Sequence, residues 1–422
     1  MTVSRFSNSE TLQIQLTTSP QMENTIEHKN RFTCDHDELK HLFRNSLSGE
    51  KAFYNQPDYI KTGKQELSSS RRVPVSYRWN SEYKVIKIAK DILPMLILSI
   101  GIYKSFWILA GKASLKQPLP ALALSIIVYR TLHSFAGTFI LPATGLRQKD
   151  LDLARSGISL QGPWKYKRIT VEVDGYKIDG VIVGQPSTLD KGRWLLASNG
   201  NNESYEHKLL VNNEFKQILH ECNSNALVFN YPAVGSSSGS ASKLTMVKAY
   251  RAMLTFLEDE EKGIGAKEII GYGMSIGGGI QGEALKTHPL KKEVKYVFIK
   301  DRTFSTLSQL VSEMVGRFLG FSIKCLGWEM DSITSSKTLQ VPEIILQTTK
   351  KACFHPLENM EDLRETDSVI QKKGSLAFAL LKREIHQNKH YLGITSNHSS
   401  KLGKEVIEHL SAIVNQSFAE TF

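Results

Sequence analysis

The chain predicts an α/β fold: a mostly parallel sheet with helices on both faces. Three observations carry this. From about residue 160, short apolar runs of strand length alternate with longer amphipathic stretches of helical period. A hairpin signal leads the series. Near its middle, the apolar run Glu268-Ile269-Ile270-Gly271-Tyr272 passes through Gly273-Met274-Ser275-Ile276-Gly277 into a second helical pattern. Strand-and-helix alternation of this kind requires crossover connections, and these build parallel sheets.

Taken in order, Arg168 to Val173 and Tyr176 to Val183 read as two strands joined at Asp174-Gly175. Asp-Gly between alternating hydrophobics is a strong hairpin signal, because both central residues of the favoured turn need positive φ. Arg193 to Ser198 is a buried strand, Glu206 to His220 a helix, Ala226 to Asn230 a strand and Leu244 to Glu260 an amphipathic helix. Ile269 to Tyr272 and Tyr296 to Lys300 are strands around a helix from Ile276 to Lys286. Ile344 to Leu346 and His390 to Ile394 are shorter, late strands, and Gly403 to Phe418 is the closing helix.

The N-terminal part differs. Residues 1–80 are polar with little periodicity, and are expected to be partly disordered, with a linker around Ser68 to Arg72. Two apolar stretches follow within residues 85–150. One runs from Ile92 to Ala110 and one from Leu119 to Leu141, separated by a Gly/Lys/Pro connection. Each approaches the ~20 residues of a spanning helix. Lys104, Arg130 and His133 interrupt them, and ionisable groups are costly at bilayer depth. Two readings stay open: a membrane hairpin with both ends on a cytosolic side, or a helical pair packed on the body of the protein.

The glycine-flanked serine is the main chemical signal. A serine on a sharp strand-to-helix turn, with glycines where a Cβ would clash, is the context of a nucleophile elbow. The helix start then aims free N–H groups at the serine oxygen. A serine hydroxyl needs a base to take its proton. Of the 12 histidines, His398 sits in Thr395-Ser396-Asn397-His398-Ser399-Ser400, after the last strand and before the final helix. His386 and His390 lie in or before that strand and are expected to be surface residues.

These features resemble the α/β-hydrolase superfamily over residues of about 165 to 415. The resemblance rests on the leading hairpin, the loop Asn230-Tyr231-Pro232-Ala233-Val234-Gly235-Ser236-Ser237-Ser238-Gly239 and the Gly-x-Ser-x-Gly elbow. With the polar N-terminal region and the hydrophobic pair added, the chain is similar to the chlamydial CHLPS protein family. The superfamily implies a chain order of serine, acid, histidine. Ser275 is then the nucleophile and His398 the base. Asp367, in Asp367-Ser368-Val369-Ile370, matches the acid loop, although Gln371 stands where proline is usual and Thr348 to Glu365 intervenes after the strand. Asp301, at the end of the preceding strand, is the alternative acid, with Asp362 and Glu358 behind it. The N–H groups of Ile276 and Asn201 are the implied oxyanion hole; Asn199-Gly200 replaces the usual His-Gly. Residues 303–338 match the place of a cap insertion in a hydrolase domain spanning 160–422. Their hydrophobes suit a greasy substrate or simply finish the core.

Composition narrows the function. The formal charge is +11, which favours anionic surfaces. No helix-turn-helix, zinc-knuckle or aromatic RNA-binding pattern accompanies it, so nucleic acid is not an expected partner. The four cysteines, Cys34, Cys222, Cys325 and Cys353, are dispersed and predict neither disulfides nor a zinc site. A reducing, cytosol-like compartment fits them. No phosphate loop, dinucleotide fingerprint or metal-ligand spacing occurs, so no cofactor and no metal are expected. The resulting expectation is a serine hydrolase of ester, thioester or related acyl bonds. Its substrate would be an acyl-containing small molecule, lipid or acylated protein, with the enzyme associated with a membrane. The alternative is an interaction protein or secreted effector on an inactive hydrolase scaffold, membrane-anchored or soluble. A peptidase on the same fold is a third reading.

Overall fold

The computed structural model describes residues 72–77, 118–154 and 164–420, less short stretches at 148–149, 152–153, 190, 212, 261–262 and within 353–358. The apolar stretch from Ile92 to Ala110, the thiols of Cys34 and Cys353, and nearly all of the region 1–80 lie outside these residues.

Nine strands form one sheet in the order β1-β2-β3-β5-β4-β6-β7-β8-β9. They are β1 (Arg72–Tyr77), β2 (Lys165–Val173), β3 (Tyr176–Gly184), β4 (Arg193–Ser198), β5 (Asn225–Phe229), β6 (Glu268–Met274), β7 (Lys295–Asp301), β8 (Glu343–Thr348) and β9 (Lys389–Ile394). From β5 to β9 all neighbours are parallel. The hairpin β2–β3 is antiparallel and pairs antiparallel with β5. Its turn has φ 47° at Asp174 and 86° at Gly175, as the Asp-Gly signal requires. Strand β1 joins the edge, parallel to β2. It begins at Arg72, the last residue of the stretch expected to be a linker; Val73, Val75 and Tyr77 alternate with Arg72, Pro74 and Ser76, but Pro74 and the polar flank obscure that short signal.

Besides a single turn at Pro186–Leu189, the α-helices are α1 (Pro118–Ile140), α2 (Tyr205–Val211), α3 (Asn213–Glu221), α4 (Lys243–Glu258), α5 (Ile276–Leu285), α6 (Leu307–Met314), α7 (Arg317–Cys325), α8 (Ser332–Thr338), α9 (Leu376–Leu381) and α10 (Lys404–Glu420). The helix expected over Glu206 to His220 is described as α2 and α3, on either side of residue 212, which lies outside the described residues. Central-strand residues are buried on both faces, which explains their continuous rather than alternating hydrophobicity. One core layer packs α4, α5 and the cap residues Phe304, Leu307, Ile323, Trp328 and Met330 on the sheet. The opposite layer packs α2, α3 and α10 through Tyr205, Phe215, Leu219, Ile407 and Leu410. This is the α/β-hydrolase fold.

The second apolar stretch is the helix α1. Among the described residues no helix is long and apolar enough to cross a membrane, so the spanning hairpin is not supported on this leg. α1 instead turns one face onto the body of the protein. Tyr129, Ala136 and Ile140 are buried, and His133 stacks on Trp328 with ring centroids 5.3 Å apart. The Tyr129 hydroxyl donates to the Leu326 carbonyl, and Trp328 Nε1 donates to the His133 carbonyl. His133 thus faces protein rather than lipid.

Candidate active site

The site is built at the carboxyl ends of β6, β8 and β9, where open parallel sheets place their ligands. Strand β6 ends at Met274 and α5 begins at Ile276, so a single residue makes the turn. Ser275 carries φ 54° and ψ −119°, a region non-glycine residues rarely adopt and one associated with functional strain. Three contacts hold it there. Ser275 N donates to the Asp301 carbonyl at 2.9 Å, Gly278 N donates to the Ser275 carbonyl at 3.1 Å, and the Thr303 hydroxyl also donates to that carbonyl.

The glycines are steric requirements. A Cβ on Gly273 would lie 2.7 Å from Gly278 Cα, and one on Gly277 would lie 2.3 Å from the Ser198 carbonyl oxygen. Neither neighbour is a flexible side chain. Gly277→Ala is accordingly expected to cost about 1–3 kcal/mol of stability, as overpacking does. A lowered urea midpoint with an unchanged m value would register it.

His398 lies in the loop between β9 and α10. Its Nε2 is 3.0 Å from Ser275 Oγ and its Nδ1 is 2.9 Å from Asp367 Oδ2. Since the carboxylate can only accept, the neutral ring carries its proton on Nδ1, and Nε2 accepts from the serine hydroxyl. The remaining carboxylate oxygen, Oδ1, accepts from the N–H groups of Val369 and Ile370 at 3.0 and 2.6 Å. A backbone bond from His398 N to the Asp367 carbonyl ties the two loops together. Both side chains are almost fully buried.

The long spacing between β8 and Asp367 has a simple structural cause. Just beyond β8, Thr349 bridges to Leu363, and Lys350 N donates to the Asp362 carbonyl. Asp362 and Leu363 thereby lie beside the end of the strand, far along the chain from it. Asp367 therefore emerges where a residue a few positions after the strand would.

Asp301, the alternative acid, is committed elsewhere. Arg302 grips it with Nε and Nη2 at 2.7 and 2.9 Å, and the Tyr272 hydroxyl donates to it at 2.7 Å. Burial pushes this carboxyl up, but the guanidinium and the phenol outweigh it and hold the carboxyl below its ordinary value. Arg302 also donates through Nη1 to the carbonyls of Asn397 and Ser400, on either side of His398. The sequence reading missed this arginine, which orders the histidine loop from beneath. Arg364 adds a bond to the Asn397 side chain at 2.8 Å. Of the weaker candidates, Asp362 is exposed, its carbonyl accepting from Lys350 N, and Glu358 lies outside the described residues. His386 packs edge-on against Tyr391, and His390 is held below its ordinary pKa by burial.

The proposed oxyanion residues occupy adjoining backbone. Ile276 is the first residue of α5, where a helix has no internal acceptor for its N–H. Asn201 follows β4. In that loop the Asn199 side chain donates to the Phe229 carbonyl, the Tyr231 hydroxyl donates to the Asn199 carbonyl, and Gly200 N donates to Glu203. The Asn201 carbonyl accepts from Ala143 N, just past α1. A cleft of about 300 Å³ lies on the α2–α3 side of the sheet, lined among others by Lys208, Phe215, Tyr272, Met274 and Arg302; Ser275 and His398 do not line it. Among the described residues no cluster of ligating side chains fits a metal ion.

Several solved hydrolases are similar to the chain at low sequence identity. An α/β-hydrolase from Vibrio vulnificus is 15% identical over 69% of this chain and 94% of its own, with a TM-score of 0.48. An esterase from Pyrococcus furiosus is 14% identical over 65% and 92%, with a TM-score of 0.39. A Butyrivibrio proteoclasticus protein solved with ferulic acid is 11% identical over 60% and 100%, with a TM-score of 0.43. No curated protein matches the chain. The family described as Chlamydia CHLPS protein (DUF818) matches residues 60–419, which takes in the edge strand, α1 and the whole hydrolase body. The chain belongs to the CHLPS family.

Proposed function

We propose that this protein is a serine hydrolase of acyl bonds, either esters or thioesters. The observation that carries the reading is the unbroken chain of contacts from Ser275 Oγ through His398 to Asp367, at 3.0 and 2.9 Å. Ser275 attacks the acyl carbonyl while His398 Nε2 takes its proton. The imidazolium returns that proton to the leaving oxygen or sulfur. Water then repeats the sequence on the acyl-enzyme. Asp367 holds the Nδ1–H tautomer and stabilises the imidazolium. The N–H groups of Ile276 and Asn201 receive the developing oxyanion, a contribution of about 2.7–4 kcal/mol for each such donor in related chemistry. Every group required belongs to the chain itself.

The test is active-site labelling with a fluorophosphonate. Wild-type protein is expected to be labelled, and Ser275→Ala to be silent while retaining its far-UV circular dichroism. Absence of label on folded wild-type protein would favour an interaction protein on an inactive scaffold. Turnover of acyl esters in preference to peptides separates the esterase reading from a peptidase.

A further inference from the structure

The structure leaves a large apolar surface on α1 and the cap. On α1, Ile127, Leu132, Phe135 and Phe139 are exposed, with Phe135 at 72%. On α6 and α7 and the turn between them, Met314, Val315, Phe318, Leu319 and Phe321 are exposed, with Phe318 at 80%. Isolated exposed hydrophobes are ordinary, but nine spread over three helices and the turn between two of them are not. The two sets are joined at a seam. The segment immediately after α7 supplies Leu326 and Trp328, which bind Tyr129 and His133 of α1. The inner faces of these helices are buried by the same contacts, so the outer faces are directed away from the core.

We infer that this surface docks the protein on an anionic phospholipid bilayer, lying on it rather than crossing it. The charge pattern favours this occupant. Residues 126–140 and 314–325 contain no aspartate or glutamate, and their charged residues are Arg130, Arg317 and Lys324, all exposed. The other exposed positions of α1 from residue 126 are Thr131, Ser134 and Thr138. Aromatic and aliphatic side chains with cations and hydroxyls at their margins are what an interfacial helix presents to lipid headgroups. A bilayer buries the apolar groups while the guanidinium and ammonium heads reach the phosphates.

The surface also borders the candidate site. α1 runs into the Leu141–Gly145 turn, whose Ala143 bonds the loop carrying Asn201. The cap leaves β7 through Thr303, whose hydroxyl holds the Ser275 carbonyl. Docking on this face brings the elements that hold the Ser275 carbonyl and the Asn201 loop next to the lipid layer. The inference concerns attachment and does not depend on turnover.

The experiment is co-sedimentation of the full chain with phosphatidylcholine vesicles containing a minority of phosphatidylserine. Wild type is expected to pellet, and less so as salt rises. A variant carrying Phe135→Ser, Phe139→Ser, Phe318→Ser and Phe321→Ser is expected to lose about tenfold in partitioning per phenylalanine removed. Its fluorophosphonate labelling and circular dichroism should match wild type, since none of the four supports the fold. Ser275→Ala is expected to pellet like wild type, so a failed labelling experiment would leave this inference standing. Three results would overturn it: wild type remaining in the supernatant, the phenylalanine variant pelleting undiminished, or the four substitutions dissolving a homodimer without changing vesicle binding.

Discussion

Asp367→Asn is expected to lower kcat for a soluble nitrophenyl ester by about 10⁴-fold, with KM near its wild-type value. Asparagine fits the same space, and its side-chain oxygen still accepts from Val369 and Ile370. Its amide, however, presents a donor where His398 Nδ1 needs an acceptor. The ring then favours the tautomer with Nε2 protonated, which cannot take the serine proton. Asp301→Asn, by contrast, is expected to spare the tautomer and to cost stability, because it leaves the Arg302 guanidinium buried without its counter-charge. Steady-state kinetics and urea unfolding on both variants separate the roles. A kcat loss confined to Asp301→Asn would reassign the acid.

Arg302→Met is expected to be the most destabilising single change near the site, by about 3–5 kcal/mol. Removing one partner strands a charge in the interior. Asp301 is fully buried, and its remaining partner is the Tyr272 phenol. The substitution also releases the carbonyls of Asn397 and Ser400, so the loop presenting His398 loosens and kcat falls with stability. The pH dependence has a definite sign. Asp301 is held below its ordinary value of 3.8. Its contribution is therefore complete above that value and is lost as pH falls through the lower folded value. Wild type should lose stability faster than Arg302→Met in that acid range, which paired unfolding curves at successive pH values would measure.

Much of the fold was legible in the sequence because its signals are local. The Asp174-Gly175 turn, the apolar strand runs and the glycines around Ser275 each state their conformation within a few residues. Ser275 and His398 could be placed for the same reason: one marks a strand-to-helix turn and the other follows the last strand. The remainder depends on distant pairings. Strand β1 alternates Val73, Val75 and Tyr77, but Pro74 and its short length hide it, and only its pairing with β2 reveals it. The Tyr272–Asp301–Arg302 cluster draws on two neighbouring strands and supports a loop almost a hundred residues further on, and no window of sequence contains that arrangement. Asp301 was a reasonable alternative acid because it ends a strand beside the elbow; its neighbour in the chain is what occupies it. The hydrophobicity of residues 119–141 signalled apolar surroundings, but hydropathy does not separate contact with lipid from contact with Trp328 and Leu326.

The closure between Thr349 and Leu363 bears on how such a fold changes over time. The carboxylate's address is set by a clasp, and residue count between strand and acid has no part in it. Whatever the chain gains or sheds outside that clasp, the imidazole meets the same oxygen. Leu357, buried and bonded to the Tyr391 carbonyl, stays tied to the sheet, so change is expected at exposed positions such as Asn359, Glu361 and Asp362 while the proton-transfer machinery stays undisturbed.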